Sequence, residues 1–303
     1  MSWTRRQFLT GSAIGMLGSV GRRSFAQQSS GTSRAAVTPG FRRQVDSIDW
    51  YCESRGRGPI VVLIPSGEGD CGSFEKVAEL LASEFTLVTF DMPGFSRSSE
   101  PPDFAKYSWD QAASEVAALV RSLGLGPATL YGCSSGGQVA LRLAADHSSL
   151  VRSVLVHEVA GISPTTTPIP SPLTAAIADM STLADDEVVH ACKDLFRNQL
   201  NENPEAWDAL GAVFHNRLER NYVTWVRRYV AGLRPARTLT PEDLRRRPVT
   251  WTIGGLTPAA SFFQNVVTAH AAGIQVGLLM CKHFPQVSIP KVLADHIAGV
   301  ARA

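Results

Sequence analysis

The stretch Ala128-Thr129-Leu130-Tyr131-Gly132-Cys133-Ser134-Ser135-Gly136-Gly137 decides how this chain is read. Residues 128–131 form an apolar strand, a helix begins at Gly137, and the pattern G-x-S-x-G stands between them. A turn that passes so abruptly from strand to helix brings its flanks together, and side chains there would clash, hence glycine on both sides. Its product is a serine hydroxyl, that of Ser134, lifted above the sheet at the N-terminus of a helix. In a loop the same letters would mean only a tight turn with an idle serine. The strand before and the helix after give them chemical meaning.

Outward from this turn the pattern alternates strands and helices. Residues 45–53 alternate like a strand, and 60–64 are a continuous apolar run suited to a strand buried on both faces. An amphipathic stretch covers 74–81, and a strand over 86–90 ends at Asp91. A helix over 108–123 places Trp109, Ala112, Val116 and Leu119 at helical spacing; a helix over 137–145 and a strand over 151–157 follow. Repeated β-then-α units predict an α/β fold, a mostly parallel sheet flanked by helices. The rhythm then breaks. Residues 162–173 hold Pro164, Pro168, Pro170 and Pro172, which is loop chemistry. Residues 173–234 read as helices rich in Trp, Tyr and Arg, and the sheet resumes with a strand over 249–253. A helix over 261–271, a last strand over 274–280 and a closing helix over 292–301 complete the chain. The organisation predicted is a leader and linker over 1–43, a core over 44–160 plus 248–303, and an inserted helical cap over 161–247.

The composition, 44% hydrophobic and 18% charged over 303 residues, is that of a globular protein. The net charge of +2 hides an asymmetry: residues 1–43 hold seven arginines and no acid, so the other 260 residues carry 22 basic against 27 acidic groups. That excludes a basic nucleic-acid-binding body. The positive end begins Thr4-Arg5-Arg6-Gln7-Phe8-Leu9, followed by a weakly apolar run over 9–20, too short for the ~20 residues that span a bilayer. A twin arginine before such a run resembles a bacterial Tat export signal, with a cleavage site at Ser24-Phe25-Ala26. The expectation is an exported protein without a stable membrane anchor, cytoplasmic if the leader does not function. The five cysteines (Cys52, Cys71, Cys133, Cys192, Cys281) are widely spaced and indicate neither a zinc site nor a disulfide framework.

A serine nucleophile needs a base, and the base needs an acid to hold its tautomer, in the chain order Ser, Asp or Glu, His for this type of turn. His283 follows the last strand and so arrives at the sheet edge where Ser134 stands. His270 and His296 fall in helices, His190 and His215 in the cap, and His147 at a helix end. His157 ends a strand but precedes the usual place of the base. Between Thr250 and His283 there is no Asp or Glu, so the acid must come from the preceding strand, which ends at Glu158; Asp91 is the reserve. His157-Glu158 lacks the second histidine of a zincin, since position 161 is glycine, and no metal is expected. The oxyanion hole draws one N–H from Ser135 and another from the loop after 60–64, at Gly67.

That loop also reads otherwise. Gly67-Glu68-Gly69-Asp70-Cys71-Gly72 fits G-x-G-x-x-G, with Asp91 at the end of the next strand where a ribose-binding acid would sit. A nicotinamide oxidoreductase is therefore a competing reading, although Met92-Pro93-Gly94 makes Asp91 an equally good turn initiator.

Over residues 41–303 the chain resembles the zearalenone-type lactone hydrolases of the α/β-hydrolase superfamily. The resemblance rests on Phe90-Asp91-Met92-Pro93-Gly94, Gly132-Cys133-Ser134-Ser135-Gly136, His157-Glu158, Asn221-Tyr222, Trp251-Thr252, Thr257-Pro258, Ser261-Phe262-Phe263 and His283-Phe284-Pro285. It implies an α/β-hydrolase fold with a cap, no cofactor, Ser134 as nucleophile, Glu158 as acid, His283 as base, and Gly67 with Ser135 as oxyanion hole. It further implies that Trp225 of the cap contacts a resorcylic macrolactone, with Ser66 and Tyr222 as further substrate contacts. Ser66 departs from the family, which has an acidic residue there, and the Pro/Thr-rich segment over 162–173 is longer than its family counterpart. The activity expected is opening of a small hydrophobic lactone or ester. The alternatives are a broader carboxylesterase, or a slow hydrolase-fold protein that captures a ligand. A homodimer is left open.

Overall fold

The computed structural model describes residues 40–163 and 172–303. The twin-arginine leader, its cleavage site and most of the Pro/Thr-rich segment lie outside the described residues.

Eight strands form one sheet: β1 (Phe41–Val45), β2 (Ile48–Arg55), β3 (Ile60–Ile64), β4 (Thr86–Phe90), β5 (Ala128–Cys133), β6 (Val151–His157), β7 (Val249–Gly254) and β8 (Val276–Leu279). Their spatial order is β1-β2-β4-β3-β5-β6-β7-β8; β2 pairs antiparallel with β1 and β4, and every other pairing is parallel. The single strand expected over 45–53 is thus a hairpin that begins at Phe41. Its turn passes through Asp46 at φ 50°, a left-handed position filled without the glycine that usually signals one.

The central strand β3 is apolar along its whole length because both of its faces are covered. Val61 and Leu63 of β3 pack to one side with Tyr131 and Leu155, beneath α1 (Glu75–Leu81) and the closing helix, which contributes Leu293 and Ile297. Val62 and Ile64 point the other way and join Leu130 and Val154 beneath α2 (Trp109–Ser122) and α3 (Ser135–Asp146). The period of two along each strand therefore feeds two cores, one per face.

Between β6 and β7 the chain builds the cap: α4 (Pro172–Asp179), α5 (Asp185–Asp194), α6 (Pro204–Asp208) and α7 (Ala212–Thr224), before α8 (Pro241–Leu244) returns to the core against α3. The cap has its own apolar centre, including Val188, Phe196, Trp207, Leu218 and Tyr222. Two of its helices end in widened turns, Leu195–Gln199 and Trp225–Val230, closed by Leu200 N–H to Leu195 O at 2.8 Å and Ala231 N–H to Val226 O at 3.0 Å. Such i→i+5 turns rotate side chains off the regular helical face and recur at functional sites. The chain closes with α9 (Ala259–Ala271), α10 (Pro285–Ser288) and α11 (Pro290–Arg302). Among the described residues no helix is long and apolar enough to cross a membrane.

The β5–α3 turn is held by contact with β3. A Cβ on Gly136 would lie 2.4 Å from the carbonyl oxygen of Ile64 and 2.6 Å from that of Pro65; one on Gly132 would lie 2.3 Å from the carbonyl oxygen of Gly136. Gly136→Ala is therefore expected to destabilise by about 1–3 kcal/mol, the range of overpacking. Gly299→Ala, in open space on α11, should stabilise by roughly 0.5–1 kcal/mol. Thermal unfolding of the two variants should thus shift in opposite directions; equal shifts would contradict the steric account of the turn.

Candidate active site

Ser134 sits at φ 54°, ψ −121° between β5 and α3, a conformation that costs a non-glycine residue roughly 1–3 kcal/mol. The surroundings over-determine it. Its N–H donates to His157 O at 3.0 Å, and its carbonyl accepts from Gly137 N–H at 3.1 Å and Ala160 N–H at 3.2 Å. The side chain leaves the carboxyl edge of the sheet and lines a cavity of about 270 Å³.

His283 lines the same cavity from the loop after β8. Its Nδ1–H donates to Glu158 Oε2 at 2.7 Å. A carboxylate can only accept, so Nδ1 carries a proton, and in the neutral ring Nε2 is the nitrogen left with a lone pair. Phe262 stacks on the imidazole, with ring centroids 4.8 Å apart and planes inclined by 13°, and the His283 N–H donates to Leu200 O at 3.0 Å. Among the described residues no hydrogen bond joins Ser134 to His283; catalytic hydrogen bonds commonly tighten only around substrate.

Glu158 follows β6 at φ 44° and has no exposed surface. Its second oxygen, Oε1, accepts from Gly254 N–H at 2.8 Å. A Cβ on Gly254 would lie 2.9 Å from that oxygen and 2.5 Å from Cys281 O, so only glycine lets the end of β7 approach so closely. Burial alone would push this carboxyl up. The His283 hydrogen bond and the neighbouring imidazoles more than offset it and bring the group down to about 2.

His157 stands behind this pair rather than in the cavity. Its Nδ1 is 3.0 Å from Thr252 Oγ1, its Nε2 is 3.2 Å from Lys282 O and 3.9 Å from Glu158 Oε2, and burial pushes its imidazole down to about 4. It is a neutral wall of the acid's pocket. Asp91, the reserve acid, is instead consumed locally: it accepts from Cys71 N–H at 2.9 Å and from Arg97 Nε at 2.7 Å.

Gly67 and Ser135 both line the cavity, and neither backbone N–H has a partner among the described residues. The indole Nε1 of Trp225 lies 2.6 Å from where a Cβ of Gly67 would stand. The other glycines of the G-x-G-x-x-G stretch are covered too, Gly69 (φ 66°) by Phe95 and Gly72 by Phe214. Arg217 of α7 pairs with Asp70 at 2.6 Å, and Asn221 Nδ2 donates to Glu68 O at 2.7 Å. The face a dinucleotide pyrophosphate would need is thus occupied by the cap, which removes the nicotinamide reading. Asp70, Cys71 and Asp91 lie close enough together to hold a cation, but guanidinium groups fill that centre: Arg97 Nη2 is 3.3 Å from Cys71 Sγ and 2.9 Å from Asp91 Oδ1.

The remaining substrate candidates divide. Ser66 lines the cavity, 3% exposed, with no hydrogen-bond partner for its hydroxyl, and Trp225 lines it with Phe196. Tyr222 does not reach the cavity: it lies in the apolar centre of the cap, its ring 5.1 Å from that of Phe196. The rest of the cavity wall is mostly apolar, built from residues such as Trp109, Ile177, Leu200 and Phe284 with a few neutral polar side chains, Gln264 among them, and among the described residues no Asp, Glu, Lys or Arg lines it.

Residues 59–188 match the family model of the alpha/beta hydrolase fold. A zearalenone hydrolase of Bionectria ochroleuca is 36% identical over 256 residues, covering 83% of this chain and 93% of that protein. One from Cladophialophora bantiana is 37% identical over 262 residues, covering 85% and 94%. This chain belongs to the zearalenone hydrolase family of α/β hydrolases. The crystal structure of an enol-lactonase from Burkholderia xenovorans superposes with a TM-score of 0.68 at 19% identity, covering 87% of this chain and all of that one, and shows the shared fold.

One ionisable group in the glycine loop after β3 escaped the sequence reading. Glu68 is fully buried; Oε1 accepts from Ser73 Oγ at 2.8 Å while Oε2 has no partner, and burial pushes the carboxyl up to about 7. A carboxyl raised on folding stabilises the fold at acidic pH and loses that contribution as pH rises through its folded value. Glu68→Gln should therefore match the wild type near pH 4, below the ordinary carboxyl value, and exceed it by up to about 3 kcal/mol near pH 8.5. Melting curves across that range test this; a pH-independent difference would contradict it.

Proposed function

We propose that this protein is a cofactor-free serine hydrolase that opens the lactone ring of a resorcylic macrolactone such as zearalenone. The observation that carries the reading is the Glu158–His283 hydrogen bond of 2.7 Å at the wall of the apolar cavity that Ser134 also lines. The names of the relatives, 36–37% identical over most of the chain, supply the substrate class.

In this mechanism His283 Nε2 takes the proton of Ser134 Oγ as that oxygen attacks the ester carbonyl carbon. The carbonyl oxygen gains the charge and accepts from the N–H groups of Gly67 and Ser135, each such donor being worth roughly 2.7–4 kcal/mol in the transition state. Collapse breaks the ring C–O bond, and His283 returns its proton to the departing alkoxide, which stays tethered to the acyl group. Water, deprotonated by His283, then attacks the acyl-enzyme and releases the open-chain hydroxy acid with Ser134 restored. Glu158 stays ionised throughout and holds the imidazole in the required tautomer.

Incubation with zearalenone and chromatography should reveal ring-opened product at many equivalents per protein. Ser134→Ala should lower kcat by about 10⁴–10⁶-fold with little change in melting temperature. Full activity in that variant would sink the mechanism. Product limited to one equivalent would instead mark a ligand-capturing protein, and equal turnover of simple alkyl esters a general carboxylesterase.

We further infer that the leader exports the protein, on the strength of Arg5-Arg6 and the short apolar run behind them. Exchange of both arginines for lysine should retain the unprocessed chain in the cytoplasm, as cell fractionation would show; unchanged fractionation would remove the inference.

A further inference from the structure

Two amide side chains packed beside the site are engaged at both ends by protein partners. Asn265 of α9 is engaged at both ends: its Oδ1 accepts from Val159 N–H at 2.7 Å and Trp251 Nε1–H at 2.9 Å, and its Nδ2 donates to Val159 O at 3.0 Å. Gln138 of α3 donates to Ala160 O at 2.6 Å and accepts from Arg142 at 2.9 Å. Gln264, one residue before Asn265, differs. It is 5% exposed and lines the cavity, and its amide makes no hydrogen bond to any described residue. The helix that carries it is kinked at Phe262 (φ −129°, ψ 22°), the residue that stacks on His283. The irregular turn thus presents one side chain to the catalytic imidazole and, two residues on, a free amide to the cavity.

We propose that Gln264 selects the substrate by hydrogen-bonding a hydroxyl group that the lactone carries. A primary amide offers N–H donors at one end and lone pairs at the other. Left unpaired when a ligand excludes water, it would oppose binding. A hydroxyl both donates and accepts and can serve either end. A carbonyl can serve only the nitrogen, and an ionised group would find no counter-charge, since no Asp, Glu, Lys or Arg among the described residues lines the wall. The group read by Gln264 is therefore a neutral hydroxyl, the phenol in the case of a resorcylic lactone. This deepens the lactonase reading above and rests on it.

The test compares the wild type with Gln264→Leu on three lactones: zearalenone with free phenols, its phenol methyl ether, and an aliphatic macrolactone of similar ring size without a hydroxyl. Loss of one neutral hydrogen bond should raise KM for the free phenol by about 3–10-fold with kcat nearly unchanged. The other two lactones should be cleaved as well as, or better than, by the wild type. Gln264→Met, close in length and apolar, should reproduce the pattern and serves in its place if the leucine variant fails to fold. Equal losses on all three lactones, or no loss on any, would overturn the role of Gln264. A wild type that cleaves none of the three would overturn the lactonase reading itself, a different result.

Discussion

Glu158 is ionised and has no surface exposed to water. Much of the molecule is arranged around that fact. An unpaired buried carboxylate would take up a proton instead of remaining charged. It stays charged because three chain segments end around it: β6 delivers the residue itself, the end of β7 gives the Gly254 N–H, and the loop after β8 gives the His283 N–H. The order of these strands at one side of the sheet is thus a condition for the charge, and the charge is the condition for the imidazole tautomer. Gly254 belongs to this arrangement as firmly as the acid does, since any side chain there would displace Oε1.

The glycine loop after β3 is governed by a different contact. Its glycines fit a dinucleotide fingerprint letter for letter, yet what comes close to them is protein: the Trp225 indole on Gly67, Phe95 on Gly69, Phe214 on Gly72. Phosphate and indole impose the same demand on the backbone, that nothing project from it. The cap is then fastened to this loop by Arg217–Asp70 and by Asn221, which donates to both Glu68 O and Ser96 Oγ at 2.7 Å. The loop proposed to supply an oxyanion N–H is in this way braced from the cap side, and the helix that braces it runs on into the turn that carries Trp225.

How much could be read in advance depended on whether a residue's role was local. A continuous apolar run marked β3 because burial on both faces leaves no polar positions there. The elbow was legible because its glycines and serine stand within five residues, although one of the contacts that demand glycine, that of Gly136 with Ile64 and Pro65, comes from the end of β3. Glu158 could be found by elimination, since the chain offers no acid between Thr250 and His283. Roles fixed by distant contacts were not legible. The hairpin turn at Asp46 carries no glycine or proline signal, and the widened turns that aim Phe196 and Trp225 leave no trace in a 3.6-residue period. Tyr222 and Trp225 stand three apart on one continuous helical path, but the widening turns only Trp225 to the cavity. Glu68 and Gln264 look like ordinary polar residues until their burial is known.

The cavity wall bears on turnover as well as on recognition. A lactone is neutral and suits an apolar wall with few hydrogen-bonding groups. Hydrolysis converts it to an open-chain carboxylic acid that is ionised at neutral pH. Among the described residues the wall offers that new charge no lysine or arginine, and beside the reacting carbonyl of the proposed mechanism it has the backbone N–H groups of Gly67 and Ser135 and the His283 ring. Those are the groups the next catalytic cycle needs free. A carboxylate held there without a full counter-charge is destabilised relative to water, whereas the substrate it came from was not. The surface that favours the ring-closed molecule therefore disfavours the opened one, so in the proposed reaction substrate binding and product release follow from one property of the wall, its lack of fixed charge.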